Sequence, residues 1–311
     1  MISPASILFA LVLAQGTTVD VLIRAGTVHD GSGAPGRTAD VGIRGDRIAF
    51  VGDATAAGVR GTRTIDARGL IVAPGFIDPH THVLEGIGSA VARTPTAENL
   101  AVVRRQALSA ITQGITTVTI SPDGRGPIDV ARALREAEAG GIGVNIFTLV
   151  GFGSVRQRVM GSSSAPATAA QVDSMRRLVE QGLREGAFGV GAGLFYAPQS
   201  YASTDEVIAV ISAARPFGGV YDSHQRDESS YSIGLLNSVR EAIRIGRASG
   251  LATNIGHVKA LGVDVWGYAD SVLRLMREAR AGGHPVVADQ YPWTASGTGL
   301  SAALLPRWAQ A

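Results

Sequence analysis

Two histidines one residue apart end an apolar stretch of the chain. The segment Pro74-Gly-Phe-Ile-Asp-Pro-His-Thr-His82 is typical of a β-strand that finishes at His80 and His82. Because strand side chains alternate between the two faces of a sheet, both imidazoles are expected on one face, where they could bind a single metal ion. Metal binding of this kind indicates a hydrolase.

Three further candidate ligands follow other predicted strands. His224 and His257 each stand at the end of an apolar run, and Asp123 follows the run of residues 116–120. Because parallel strands in a barrel present their carboxyl ends at one face, these side chains could form a mono- or dinuclear site with the first pair. The chain has no cysteine, so every ligand must supply nitrogen or oxygen. Asp123 also fits an ordinary turn before a glycine, and that alternative stays open.

Lys259 is the single lysine of the chain, although lysine and arginine together number 28. It lies two residues beyond His257, on the same face if the strand continues that far. A compact ammonium group is a natural partner for a substrate carboxylate, and a chance surface lysine is the alternative. The two remaining histidines, His29 and His284, are assigned structural or surface roles because neither follows a predicted barrel strand.

The elements that must position these residues change character along the chain. Residues 17–70 have short β-like segments and turns, which predict a small β-sandwich part. Residues 71–311 alternate apolar strands with amphipathic helices, which predicts repeated βα units on a parallel sheet. The predicted strands are 71–77, 116–120, 143–150, 188–194, 219–222, 252–255 and 285–289, and the predicted helices are 97–112, 128–139, 170–185, 205–215, 233–248 and 269–281.

This pattern contains roughly seven βα units, whereas a closed barrel needs about eight. An open doubly wound sheet is the alternative, but candidate ligands recur at the ends of several strands, which favours an incomplete (β/α)8-type barrel of a metal-dependent hydrolase. Ser203 followed by Glu206 predicts a capping box at the start of one helix.

Composition narrows the possible partners. The chain is 45% hydrophobic with a mean hydropathy of +0.18, enough for a large core, and its net charge is only +2. No dense basic run is present, so nucleic acid is not expected as a partner, and no apolar run is long enough for membrane insertion. The apolar run 7–14 predicts a possible signal peptide over residues 1–16 and a periplasmic or secreted protein. The segment before that run lacks Lys and Arg, so a cytoplasmic location is the alternative.

Several motifs together resemble the amidohydrolase superfamily and, within it, the N-acyl-D-amino-acid deacylases. The resemblance extends over nearly all of the chain after residue 18. The motifs are Pro74–His82, Gly114–Val118, Gly193–Pro198, Ser223–Glu228, Gly256–Lys259 and Asp289–Trp293. The first motif marks only the superfamily, and the later ones are more specific.

The resemblance implies a (β/α)8 barrel beside a β-sandwich assembled from both chain ends. It implies one or two zinc ions, with His80 and His82 at one metal position and His224 and His257 at the tighter one. The deacylases usually have a cysteine where this chain has Asp123. An oxygen ligand there would loosen zinc or admit harder metals such as manganese.

The resemblance also implies a substrate and a reaction, the hydrolysis of the amide bond of small N-acyl-D-amino acids. Lys259 and Tyr291 match family positions that hold the substrate carboxylate, and Tyr196 is a candidate donor to the scissile carbonyl. A histidine common after the third strand is replaced by Phe152. The family's proton-carrying aspartate on the eighth strand would lie beyond Ala311, so we expect a truncated product with little or no turnover.

Three other interpretations stay open. Hydantoinase-type relatives bridge their metals with a carbamylated lysine on the fourth strand, and this sequence has no lysine there. Dipeptide or isoaspartyl hydrolysis could use the same barrel face. A non-catalytic remnant that binds metal is the alternative from a different functional class.

Overall fold

A computed structural model of the chain describes residues 17–84, 106–120 and 122–310. It divides into two compact units, the first ending at Gly75 and the second beginning at Phe76. The predicted boundary after Leu70 differs from this division because Ile71 and Val72 pair with the first strand of the first unit. The predicted barrel strand 71–77 is correspondingly reduced to Phe76–Asp78.

The first unit is a single five-stranded sheet. Its strands are β1 (Thr18–Val28), β2 (Arg37–Arg44), β3 (Arg47–Gly52), β4 (Arg60–Asp66) and β5 (Ile71–Val72). The order is β3-β2-β1-β4, and β5 also pairs with β1. The 11-residue β1 pairs with β4 along its first half and with β5 at its end, so all five strands belong to one sheet. Whether this sheet belongs to a β-sandwich stays a prediction.

The second unit is built on parallel strands. They are β6 (Phe76–Asp78), β7 (Ile115–Ile120), β8 (Asn145–Thr148), β9 (Val150–Gly151), β10 (Gly189–Gly193), β11 (Val220–His224), β12 (Ala252–Ile255) and β13 (Val286–Ala288). β8 pairs with β7 and β9 pairs with β10, so a third strand broken at Leu149 links the two sheets. Seven parallel strand positions therefore follow one another in chain order, as predicted. Within the described ranges no strand joins β13 to β6, so these residues do not close a barrel.

Helices follow most of these strands. They are α1 (Leu108–Ile111), α2 (Val130–Gly140), α3 (Phe152–Met160), α4 (Ala169–Arg184), α5 (Thr204–Ile211), α6 (Leu235–Ser249), α7 (Ala269–Ala281) and α8 (Leu300–Leu304). Short 3-10 segments cover Gln199–Tyr201, Ser212–Phe217, Val263–Val265 and Arg307–Gln310. Helix α3 was not predicted. The predicted helix 205–215 ends as an α-helix at Ile211 and continues as a 3-10 segment that contains Pro216.

Two predicted segments fall partly or wholly outside the described residues. The possible signal peptide, residues 1–16, is one, and most of the predicted helix 97–112 is the other. In the described part of the chain, no helix has both the length and the apolar character that crossing a bilayer requires.

The start of α5 shows how a buried ion pair changes a predicted cap. Ser203 accepts a hydrogen bond from the Glu206 backbone N–H, which is one half of the predicted capping box. The Glu206 carboxylate instead accepts hydrogen bonds from Arg156 Nε at 2.9 Å and from the Ala167 backbone N–H. Arg156 is fully buried and therefore needs that charge nearby.

Candidate active site

Four side chains converge at the carboxyl ends of the parallel strands. His80 follows β6, Asp123 follows β7, His224 ends β11 and His257 follows β12. One ligand atom from each lies within 4.8 Å of the other three. Asp123 Oδ1 is 3.2 Å from His80 Nε2, 2.9 Å from His224 Nδ1 and 3.8 Å from His257 Nε2. The carboxylate of Asp123 therefore lies among three imidazoles.

The backbone that presents Asp123 is held by a buried glutamine. Asp123 has a φ of 62°, in the left-handed region that few non-glycine residues adopt. Gln199 Nε2 donates to the Asp123 carbonyl oxygen at 2.8 Å, and Gln199 Oε1 accepts from the Gly193 backbone N–H at 2.7 Å. A Cβ at Gly193 would lie 2.3 Å from the same carbonyl oxygen, so only glycine permits this approach. Gln199 thus ties the turn after β7 to the end of β10.

The four converging side chains, here called the cluster, shift one another's pKa values. Burial alone would raise the pKa of Asp123, but hydrogen bonds with the surrounding imidazoles outweigh burial and hold that pKa far below its usual value. Burial likewise opposes a charge on His80, yet the carboxylates of Asp222 and Asp123 raise its pKa to about 11. Burial lowers the pKa of His224. Before metal binds, the pocket thus favours a carboxylate beside a protonated His80, and a cation would replace that proton.

A second carboxylate orients His257. Glu228 Oε1 lies 2.9 Å from His257 Nδ1 and 2.5 Å from Lys259 Nζ. These two nitrogens are themselves only 2.6 Å apart, and Glu228 is the acceptor they share. A proton held on His257 Nδ1 leaves Nε2 facing the cluster. Burial would raise the pKa of Glu228, but the hydrogen bond from His257 and the neighbouring cations lower it to about 2.

The loop that carries Glu228 is folded around Asp227, whose side chain is fully buried. Asp227 Oδ1 accepts from the backbone N–H groups of Ser229 and Tyr231, and Oδ2 accepts from those of Ser232 and Gly234. The Ser232 hydroxyl donates to Oδ2 as well. Burial would raise the pKa of Asp227, but these hydrogen bonds lower it. The carboxylate of Asp227 therefore fixes the course of the chain immediately after Glu228.

A cavity of about 580 Å³ opens over the cluster. Its lining combines the four cluster residues with Lys259 and with aromatic side chains that include Tyr196, Tyr291 and Trp293. The Tyr196 ring lies 4.6 Å from the His224 ring, and Lys259 Nζ lies 5.4 Å from the centre of the Tyr291 ring. Burial raises the pKa of both tyrosines, so both keep their hydroxyl protons at neutral pH. The cavity therefore offers hydroxyl donors and one ammonium beside the cluster.

Most of the residues singled out in the sequence meet here, but not in the expected pairs. His80, His224 and His257 share one group with Asp123, whereas His82 lies outside it. His82 Nε2 is 3.6 Å from Asp123 Oδ2, and its side chain is 49% exposed, against 2% for His80. Whether each residue has its expected role stays a prediction.

Sequence reasoning missed three carboxylates of this site: Glu228, Asp222 and Asp289. Glu228 and Asp289 each stand in one of the motifs given above, with no role predicted for either. Asp222 precedes His224 by two residues on β11, and the two-residue period of a strand would have placed both on one face. Asp289 lies at the end of β13, with an oxygen atom within 4.8 Å of atoms of His80 and Asp222.

The donor set suits a divalent metal ion. Three imidazole nitrogens and one carboxylate oxygen are a common combination for zinc. Ligand atoms about 2.1 Å from a common zinc ion stand roughly 3.4 Å apart at tetrahedral angles. The measured separations, from 2.7 to 3.8 Å, lie on either side of that value. The residues present therefore fit a metal at this position.

Comparison with known proteins agrees with this geometry. The sequence profile of the amidohydrolase family matches residues 63–215. The D-aminoacylase of Alcaligenes xylosoxydans xylosoxydans is 35% identical over 90% of this chain. Residues 63–215 thus carry an amidohydrolase-family domain. It spans 59% of the length of that D-aminoacylase.

Two solved structures have a fold similar to that of this chain. One is a D-aminoacylase studied for the role of its binuclear metal centre, with 34% identity and a TM-score of 0.74 over 88% of this chain and 59% of that one. The other is the N-acyl-D-glutamate deacylase of Bordetella bronchiseptica, complexed with zinc and a phosphonate inhibitor. It has 30% identity and a TM-score of 0.77 over 89% of this chain and 59% of that one.

Proposed function

We propose that this protein takes part in the metal-dependent hydrolysis of N-acyl-D-amino acids, releasing a carboxylate and a D-amino acid. The observation that carries the proposal is the group of His80, Asp123, His224 and His257 at the floor of a cavity. The similarity to D-aminoacylase, over 90% of the chain, supports the substrate class.

Zinc is the proposed metal. The three imidazoles suit a borderline cation, and the single carboxylate also leaves manganese as an alternative. When bound, such an ion would polarise the acyl carbonyl and lower the pKa of a water molecule. His80 and His257 would each present Nε2, because a carboxylate faces the other ring nitrogen of each.

Lys259 is the proposed anchor for the substrate carboxylate. Its ammonium group has three N–H donors, so it can keep its ion pair with Glu228 and still bind a second carboxylate. The Tyr291 ring, 5.4 Å from Lys259 Nζ, would cover this contact. Tyr196, whose ring lies 4.6 Å from the ring of His224 and which keeps its proton, is the proposed donor to the acyl carbonyl.

The test compares N-acetyl-D-leucine with N-acetyl-L-leucine on the zinc-loaded chain. Release of leucine measures turnover, and quenching of tryptophan emission measures binding, because Trp293 lines the cavity. We expect zinc-dependent binding that favours the D enantiomer, and we expect Lys259→Met to weaken it. Binding that favours the L enantiomer, or is indifferent to zinc, would refute the proposal.

Turnover and binding separate the remaining alternatives. Zinc-dependent binding of the D ligand without leucine release would show that these 311 residues bind the substrate but do not by themselves hydrolyse it. Hydrolysis of isoaspartyl dipeptides in preference to N-acetyl-D-leucine would assign a different amide substrate to the same metal centre.

A further inference from the structure

A network of buried and partly buried hydrogen bonds runs from Asp289, which follows β13, to His80. Asn254 Nδ2 donates to Asp289 Oδ2 at 2.6 Å and to Asp222 Oδ1 at 2.8 Å. The other oxygen of Asp222 lies 3.0 Å from His80 Nδ1. Asp222 is 2% exposed and Asn254 is 9% exposed. Three strand ends, those of β11, β12 and β13, thus support the imidazole that follows β6.

The two carboxylates fix the direction of each hydrogen bond in this network. Asn254 must turn its amide nitrogen toward Asp222 and Asp289, because an amide oxygen facing two carboxylates would be repelled. Its own Oδ1 accordingly lies buried without a hydrogen-bond partner. Asp222 only accepts, so it requires a proton on His80 Nδ1. His80 Nε2 then faces Asp123 and the rest of the metal group.

A glycine allows the His80 ring into this position. A Cβ on Gly256 would lie 2.8 Å from His80 Nδ1, closer than non-bonded atoms normally approach. The ring is therefore enclosed by the backbone after β12 on one side and by Asp222 at its Nδ1. Its orientation is set by these neighbours before any metal arrives.

We propose that Asp222 is a positioning residue, which places the proton of His80 on Nδ1 and presents Nε2 to the metal. Asn254 and Asp289 act behind it by fixing how Asp222 is turned. This inference rests on the metal centre proposed above but not on the substrate or the reaction.

The decisive variant is Asp222→Asn, which has nearly the same shape. Asn254 keeps offering its amide hydrogens, so the new amide at position 222 must turn its oxygen toward Asn254 and its nitrogen toward His80. His80 would then accept at Nδ1 and carry its proton on Nε2, the atom meant for the metal. We expect zinc affinity to fall by about 10- to 100-fold, the usual effect of losing such an outer partner.

A second substitution separates orientation from loss of charge. In the D222N/N254A chain, the amide at position 222 no longer faces the donor of Asn254 and can turn its oxygen back to His80. We expect zinc affinity to return to within about fivefold of that of N254A alone, because the proper proton position is regained. If the only effect of D222N were the lost negative charge, the double variant would bind zinc as weakly as D222N.

Zinc affinities are measured by competition with a chromophoric chelator on the full chain, with D173N as the control for an exposed aspartate. A D222N affinity equal to that of the natural chain, or a loss that N254A does not relieve, overturns the proposal. Histidine ¹⁵N spectra of the zinc-saturated chains give an independent readout, with His80 identified from H80Q. We expect His80 to carry its proton on Nδ1 and to bind zinc through Nε2 in the natural chain and in the double variant, and we expect D222N to lose that pattern; a D222N spectrum identical to that of the natural chain overturns the proposal. Absence of zinc binding by the natural chain would defeat the proposed function together with this inference, whereas zinc binding that D222N leaves unchanged would defeat this inference alone.

Discussion

Replacing Asp227 by asparagine tests whether the loop beside the active site depends on one buried carboxylate. Asp227 accepts five hydrogen bonds through its two oxygens, four of them from backbone N–H groups. Asparagine keeps one accepting oxygen and turns an amide nitrogen toward the remaining donors. The Ser232 hydroxyl can rotate to accept from that amide, but backbone N–H groups cannot.

The expected loss in the free energy of unfolding follows from the number of N–H donors left without an acceptor. In either orientation of the new amide, two backbone N–H groups lose their partner. A buried donor left unsatisfied costs about 1–3 kcal/mol, and all of these hydrogen bonds except that of Ser229 are only partly buried, so we expect Asp227→Asn to lower the free energy of unfolding by about 2 kcal/mol. The exposed control Asp173→Asn should change it by less than about 0.5 kcal/mol.

Urea unfolding followed by tryptophan emission measures this loss. All three tryptophans, Trp266, Trp293 and Trp308, belong to the second unit, so the signal reports the unit that contains Asp227. With a slope of about 3 kcal/mol per molar urea, the midpoint should fall by roughly 0.7 M. A midpoint within about 0.2 M of the natural chain would refute the reasoning.

The stability difference between the natural chain and Asp227→Asn should also depend on pH, and the direction of that dependence follows from the pKa of Asp227. The folded-state pKa of Asp227 is lowered, so its stabilising contribution is fully present above the unfolded carboxyl pKa of about 3.9. It is lost as pH falls through the lowered folded value. The stability gap between the natural chain and Asp227→Asn should therefore be constant between about pH 5 and 8 and should narrow only below about pH 4. A gap that narrows near neutral pH would contradict this assignment.

Three further predictions concern the metal group and its supports. Asp123→Cys should raise the preference for zinc over manganese by at least tenfold, on the order expected for a softer ligand, in competition dialysis. Gln199→Leu leaves the Asp123 carbonyl and the Gly193 N–H unpaired, so unfolding should become easier by about 2–4 kcal/mol and zinc affinity should fall as well. Arg156→Met leaves the buried Glu206 carboxylate without its cation and should cost about 3–5 kcal/mol in urea unfolding, with part of the loss recovered in Arg156→Met/Glu206→Gln. Unchanged metal preference, unchanged stability or no recovery would contradict the three predictions in turn.

Local sequence patterns were sufficient to predict the parallel strands and the residues at their ends. Strand length, apolar content and the alternation of faces are properties of a few neighbouring residues, so His80, His224 and His257 could be placed at strand ends without a structure. The same reasoning could not predict that Ile71 and Val72 join the first unit, because they pair with the C-terminal end of β1, which is far away in the sequence.

The sequence by itself determined which chemical groups were available: nitrogen and oxygen ligands, a single lysine and no thiol. Tertiary structure alone decided how they are shared. It made one oxygen of Asp123 the neighbour of three imidazoles, assigned Glu228 to His257, and set Asp222 behind His80. These contacts join the ends of different strands, and the proton position on each imidazole depends on which carboxylate faces it. That relation is fixed only when the strands pack side by side.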